Sequence, residues 1–329
     1  MSDGGDGFGA ILNDCLEAER RKITTVDAAH RPVKTEWSWE PKRKIAVVDT
    51  ARVVGLAMLP PGKFHPFELD TFGLGKVLRA AQRRGARRCL VGIGGSATND
   101  AGFGMARALG WKFRDQSGAE IIEWPDLCRL REIEAPEPRK LFHEVVVAVD
   151  VENPLNGKLG CTRVYGPQKG MRPGDYARAD AALERLAHVA LKFFGKDFAQ
   201  VRGAGAAGGL GFGLLAFTGA RAESGFDIFA RASGLEKHLR KADVVLTGEG
   251  AIDDQTLMGK GVGRVARLCR ENETPCLGLA GVVTEPKRAR RLFTDARGLT
   301  ELTTVDQAKS QPARWLEALA AQVARDFRI

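Results

Sequence analysis

Three stretches of the chain combine backbone freedom with side chains that can hold or move charge. The first is GIGGSATNDAGFG at positions 92–104, where Gly94 and Gly95 let the main chain approach a ligand and Ser96, Thr98 and Asn99 offer hydrogen-bonding groups. Asp100 follows, with a carboxylate suited to holding a metal or accepting a proton. Helix capping explains one such polar residue, but not four behind a buried strand. The second is LTGEGAIDDQTLMGKG at 246–261, in which Glu249, Asp253 and Asp254 crowd after a strand. Clustered acids are costly unless a cation neutralises them, so Mg²⁺ or the nearby Lys260 is implied. The third is the opening MSDGGDGFGA, with Asp3 and Asp6 set among glycines.

Glycine loops that bind anions, together with carboxylates that hold a divalent ion, suit phosphoryl transfer, which needs positioning and charge neutralisation more than a covalent nucleophile. The P-loop is excluded, because no GxxxxGK[ST] occurs and MGKG lacks the following hydroxyl. The run GAGAAGGLGFG at 203–213 fits GxGxxG at its start, but no buried strand precedes it; it reads equally as a loop or a close-packed helix start. None of the five histidines sits in a glycine loop, so nucleophilic hydrolysis has no support. The six cysteines form no CxxC pair and read as small buried hydrophobes. Asp150, Asn153, Gln168 and Lys169, taken singly, carry no chemical signal.

These residues need elements to hold them. Residues 15–48 alternate polar and apolar positions, predicting antiparallel strands with a turn at HRP. A helix is expected over about 73–85, a buried strand over Cys89–Ile93, and a helix in AGFGMARALGW. EVVVAVD predicts a second apolar strand ending on Asp150, and a helix follows over about 176–195. In the last hundred residues ADVVLTGEG, PCLGLAG and LTELTTV read as strands separated by helical GKGVGRVARLCR and KRARRLFTDA, with a final helix PARWLEALAAQVARDF. Strands alternating with helices mean a parallel sheet, whose ligands sit at the carboxyl ends of the strands.

With 329 residues, 44% of them hydrophobic, the chain has material for one large or two ordinary domains. No apolar run approaches the roughly 18 residues of a membrane span, and no secretory leader pattern opens the chain, so the cytosol is the expected location. The net charge of +9 raises the question of nucleic acid. The basic runs RRGARR (83–88) and PKRARR (286–291) lack interleaved aromatics and read as solvated helix faces. The charge favours an anionic small-molecule substrate instead.

The ordered blocks MSDGGDG, GIGGSATNDAGFGMARALG, VAVDVENPLNG, VYGPQKG, GAGAAGGLGFGLLAF, ADVVLTGEGAIDDQT and GKGVGRVA resemble those of type 1 glycerate kinases from Met1 to the C-terminal helix. The resemblance implies ATP-dependent, Mg²⁺-requiring transfer of a phosphoryl group to D-glycerate, giving 2- or 3-phosphoglycerate. It also implies two α/β domains: a discontinuous flavodoxin-like parallel-sheet domain from residues 1–23 and 240–329, and an inserted α/β domain from 24–239, with substrates between them. Position by position, Asp3, Gly4, Gly5 and Asp6 match the family's acidic glycine loop, and Gly94, Gly95, Ser96, Thr98, Asn99 and Asp100 its signature loop. Glu249, Asp253 and Gln255 match its sheet-domain acids. Substrate or phosphate contact is expected of Gly95, Ser96 and Thr98, and metal or proton handling of Asp100, Glu249 and Asp253. The number of subunits is not implied.

Three departures accompany the match. VVDTA places Asp49 where the family carries a glutamate, and ELDTFGLGK (68–76) replaces a threonine-rich segment. The family's first strand and helix, and the second strand leading into the acidic loop, have no counterpart before Met1. A buried parallel strand cannot be dropped without stranding backbone groups. A start codon upstream is the expected explanation, tested by reading the upstream frame; the alternative is a truncated, inactive homologue that binds glycerate or nucleotide.

Overall fold

The computed structural model describes residues 7–259 and 261–327. The chain is mixed α/β and divides between Ser233 and Gly234 into two compact units. The division expected from the sequence differs from this one in where residues 7–23 and 234–239 fall, since helix Phe8–Leu16 and the strand after it belong to the first unit.

The first unit is organised by one sheet in the order β1-β2-β3-β4-β7-β8. Its strands are β1 (Glu19–Val26), β2 (Pro32–Glu40), β3 (Ile45–Asp49), β4 (Arg88–Gly92), β7 (Glu144–Ala148) and β8 (Arg221–Glu223). The alternating N-terminal text becomes the antiparallel pairs β1/β2 and β2/β3, while β3, β4, β7 and β8 run parallel. The strands β3, β4 and β7 are near-continuous apolar runs because both of their faces are buried. Ala46, Val48, Cys89, Val91, Val145 and Val147 face one core, while Ile45, Val47, Leu90, Val146 and Ala148 face the other. Helices Phe72–Arg83, Phe103–Ala108 and Ala206–Thr218 cover the first side. Phe8, Leu12 and Leu16 of the N-terminal helix cover the second, and any Cβ at Gly92 would stand 2.5 Å from the Phe8 ring. The polar stretch after residue 112 carries a separate antiparallel hairpin, β5 (Lys112–Asp115) with β6 (Leu130–Glu134).

The second unit carries three parallel strands, β9 (Val245–Ile252), β10 (Cys276–Val283) and β11 (Asp295–Gly298), in the order β11-β10-β9. The first two match the sequence reading. The third lies earlier than expected: DARG pairs with β10, and Leu299–Glu301 forms a 3₁₀ turn. Leu299 is drawn into the core with Ala308 and Leu319, and the Thr304 side chain then caps the next helix, so the chain cannot continue extended. The expected helix KRARRLFTDA shortens to Pro286–Ala289 for the same reason, because the residues after it feed β11. Cys89, Cys161, Cys269 and Cys276 are buried as expected, whereas Cys15 is half-buried and Cys128 is exposed on a 3₁₀ turn. Among the described residues no helix is long and apolar enough to cross a membrane.

Candidate active site

Parallel strands deliver their following loops to one edge of the sheet, and the first unit uses that edge. β4 ends at Gly92 and releases the signature loop; β7 ends at Ala148 and releases Val149 to Val151. A cavity of about 420 Å³ lies there, bounded by Gly94, Gly95, Ser96, Val149, Asp150, Gln168 and Lys169. A second cavity of about 1110 Å³ shares Gly95, Gln168 and Lys169 and extends to Lys63, His65 and Arg172.

The signature loop divides into two functional halves. Gly94, Gly95 and Ser96 line the cavity, and Gly95 adopts φ +67°. This half is clamped from below, since Leu56 donates to the Gly95 carbonyl and Ala97 to that of Val54, each at 2.8 Å. The other half is packed inward: Thr98, Asn99 and Asp100 are fully buried. The Thr98 amide donates to Ser96 Oγ, and the two hydroxyls lie 3.1 Å apart. Asn99 donates to Thr162 Oγ1 at 3.1 Å, leaving its own buried carbonyl oxygen without a described partner.

Asp100 is not on the cavity wall. Its Oδ2 accepts from the Thr71 amide (2.9 Å), the Thr71 hydroxyl (2.7 Å) and the Gly104 amide (2.9 Å), and its Oδ1 from the Gly102 amide. Burial and the neighbouring Asp70 carboxylate push its pKa above the ordinary value, against the pull of these donors. Thr71 turns its hydroxyl to Asp100 and accepts from the Met105 amide, tying two helix starts together. These four contacts join the signature loop to Thr71 and to the start of the next helix.

Lys169, carrying no signal as an isolated letter, is brought to the site by the short turn Pro167–Lys169. It is 5% exposed, and its Nζ donates to the Thr98 carbonyl at 2.6 Å. Burial lowers its pKa from 10.5 to about 8, with the Cys161 thiol and Asp100 acting against the shift. Gly208, at φ +71°, makes room for this contact: a Cβ there would stand 1.9 Å from the Thr98 carbonyl oxygen and 2.7 Å from Lys169 Nζ. The glycine run thus resolves into a helix, Ala206–Thr218, whose first turn contains left-handed residues. The clue available in sequence was the pair of glycines flanking Pro167–Lys169; the partner at Thr98 is 71 residues away.

In the second unit β9 carries Glu249, half-buried on a cavity of about 790 Å³ lined mostly by leucine, valine, alanine and glycine. Glu249 accepts from the Thr256 hydroxyl. Burial raises its pKa, the Thr256 hydrogen bond opposes this, and Asp253 adds to the rise. Asp253 caps helix Asp254–Leu257, accepting from the Gln255 amide at 2.8 Å. The exposed Asp254 pairs with Arg288, and the Gln255 side chain is exposed. Asp3, Gly4, Gly5, Asp6 and Lys260 lie outside the described residues. Among the described residues no three histidine, cysteine or acidic side chains form a metal-ligand group.

The sequence model of the glycerate kinase family matches residues 1–328. A glycerate kinase of Halalkalibacterium halodurans is 34% identical over 331 residues, covering 98% of this chain and 87% of the relative. The glycerate 2-kinase of Escherichia coli K12 is 36% identical over 288 residues, 87% of this chain and 76% of its own length. A crystal structure described as a glycerate kinase 2 from Salmonella typhimurium LT2 superposes with a TM-score of 0.78 at 34% identity, over 86% of this chain and 79% of that one. With the signature loop placed on a cavity at the carboxyl ends of parallel strands, and the match running the length of the chain, the protein belongs to the glycerate kinase family.

Proposed function

We propose that this chain transfers the γ-phosphoryl group of ATP to a hydroxyl of D-glycerate. The observation that carries the reading is the Gly94–Ser96 loop, clamped through its backbone on a small cavity that Lys169 and Asp150 also line, in a chain related over its length to glycerate kinases. In the reaction the acceptor oxygen bonds to phosphorus, the bridging bond to ADP breaks, and the hydroxyl proton leaves. We assign the acceptor to the first unit's cavity and the proton to Asp150, the one carboxylate among the described residues lining it. Asp100 then acts as a positioning residue. The Escherichia coli relative is a glycerate 2-kinase, which favours the 2-phosphate as product.

Glu249 and Asp253 are carboxylates close enough to act on each other electrostatically. They fit an ion borne by a nucleotide, because Mg²⁺ is usually held by substrate phosphates with one or two protein carboxylates. When bound, it would neutralise charge on the phosphates. A coupled assay tests the whole: ADP release should require both D-glycerate and Mg²⁺, and release indifferent to D-glycerate would refute the assignment. Product NMR distinguishes the 2- from the 3-phosphate.

A further inference from the structure

We infer that Lys169 is the receptor for the carboxylate of the acceptor, and that it is the residue by which the site tells a hydroxy acid from a neutral polyol. The inference rests on the reading of the first unit's cavity as the acceptor site.

An ammonium group has three donors, and Lys169 spends one on the Thr98 carbonyl. Among the described residues no carboxylate forms an ion pair with it, although the side chain is buried; its hydrogen bond goes to the Thr98 carbonyl, and the one carboxylate acting on it, Asp100, does so through space. A buried unpaired ammonium is expensive, so a fold that keeps one must recover the cost elsewhere. Lys169 lines both cavities, so the residue with two donors left over borders the space a ligand would fill. The surroundings fix the group instead of neutralising it. Thr98 anchors it from the signature loop, and Gly208 withdraws any side chain from beside it. Asp100 acts on it through space while its own oxygens are taken by Thr71 and backbone amides.

Two anions meet at such a site, the acceptor carboxylate and the donor phosphates. The phosphates travel with a divalent ion that already offsets their charge. The carboxylate of a hydroxy acid brings no such partner. A fixed ammonium beside a glycine loop supplies what that group lacks, and a neutral polyol would leave the lysine unpaired.

The test is calorimetric binding of D-glycerate and of glycerol to the full chain and to Lys169→Met. The variant should weaken D-glycerate binding roughly 10- to 100-fold, the range for losing a charge-assisted hydrogen bond, and leave glycerol binding unchanged. Its unliganded melting temperature should not fall, because a buried charge with no carboxylate partner among the described residues has been removed. Unchanged D-glycerate affinity, an equal loss for glycerol, or an increase confined to KM for ATP would each overturn the inference. If Lys169→Met does not fold, the wild type carries the test. Its affinity for D-glycerate should decline as pH rises through about 8, where Lys169 loses its proton, while glycerol affinity stays flat. The other groups acting on that proton are the buried Cys161 thiol, which titrates near 12, and Asp100. A wild type that binds D-glycerate through Lys169 yet releases no ADP would sink the kinase reading and leave this one standing.

Discussion

At the residue scale, Asp150 and Asp100, at the ends of neighbouring strand-loop segments, differ in what surrounds them. Asp150 is exposed on the wall of the first unit's cavity, whereas Asp100 is enclosed by four donors. Asp150→Asn should lower kcat by at least ~100-fold, as loss of a general base does, with KM for D-glycerate nearly unchanged; steady-state kinetics decide it. Asp100→Asn presents an amide to groups that donate, and should cost roughly 2–4 kcal/mol in urea unfolding. Lys169 adds a pH signature. Its folded pKa of about 8 lies below the ordinary 10.5, so between these values the unfolded chain binds a proton that the folded chain has lost. That group's contribution therefore makes stability rise with pH across the window, and its cost is felt in full below about 8. Urea midpoints of the wild type should gain on those of Lys169→Met from pH 8 upward across that window, and parallel curves would show the lysine is not a buried charge.

At the element scale, the site depends on how closely a helix start approaches a loop. The glycines at 203–213 read as loop or helix when only their letters are considered, and they are both: a helix from Ala206 with left-handed backbone at Ala207, Gly208 and Gly209. Gly208→Ala should cost ~1–3 kcal/mol from the left-handed backbone alone, and more from the clash with the Thr98 carbonyl. It should also weaken D-glycerate binding by displacing Lys169, which calorimetry can follow beside the unfolding curve. The strands were more legible than this helix. β3, β4 and β7 declare themselves as apolar runs because both faces are buried. β11 was misplaced because DARG has no such run and is extended only through its pairing with β10.

At the scale of the whole molecule, the +9 charge is spread over many arginines, most of those with described partners being salt-bridged to nearby acids on the surface. A diffuse cationic field of this kind speeds encounter with an anion more than it strengthens binding. The value of kcat/KM for D-glycerate should therefore fall with added salt while kcat holds, measured across an ionic-strength series. The sequence determined the family, the α/β class, the order of the main strands and the loop at 94–100, because apolar periodicity and glycine placement are local properties written in adjacent letters. Tertiary structure alone decided which polar residues meet. Asp100 turned out to be a tie between Thr71 and the next helix, and Lys169 a buried cation on the wall. Contact between residues 29 or 71 positions apart leaves no trace in local spacing, since the fold, not the chain, brings them together.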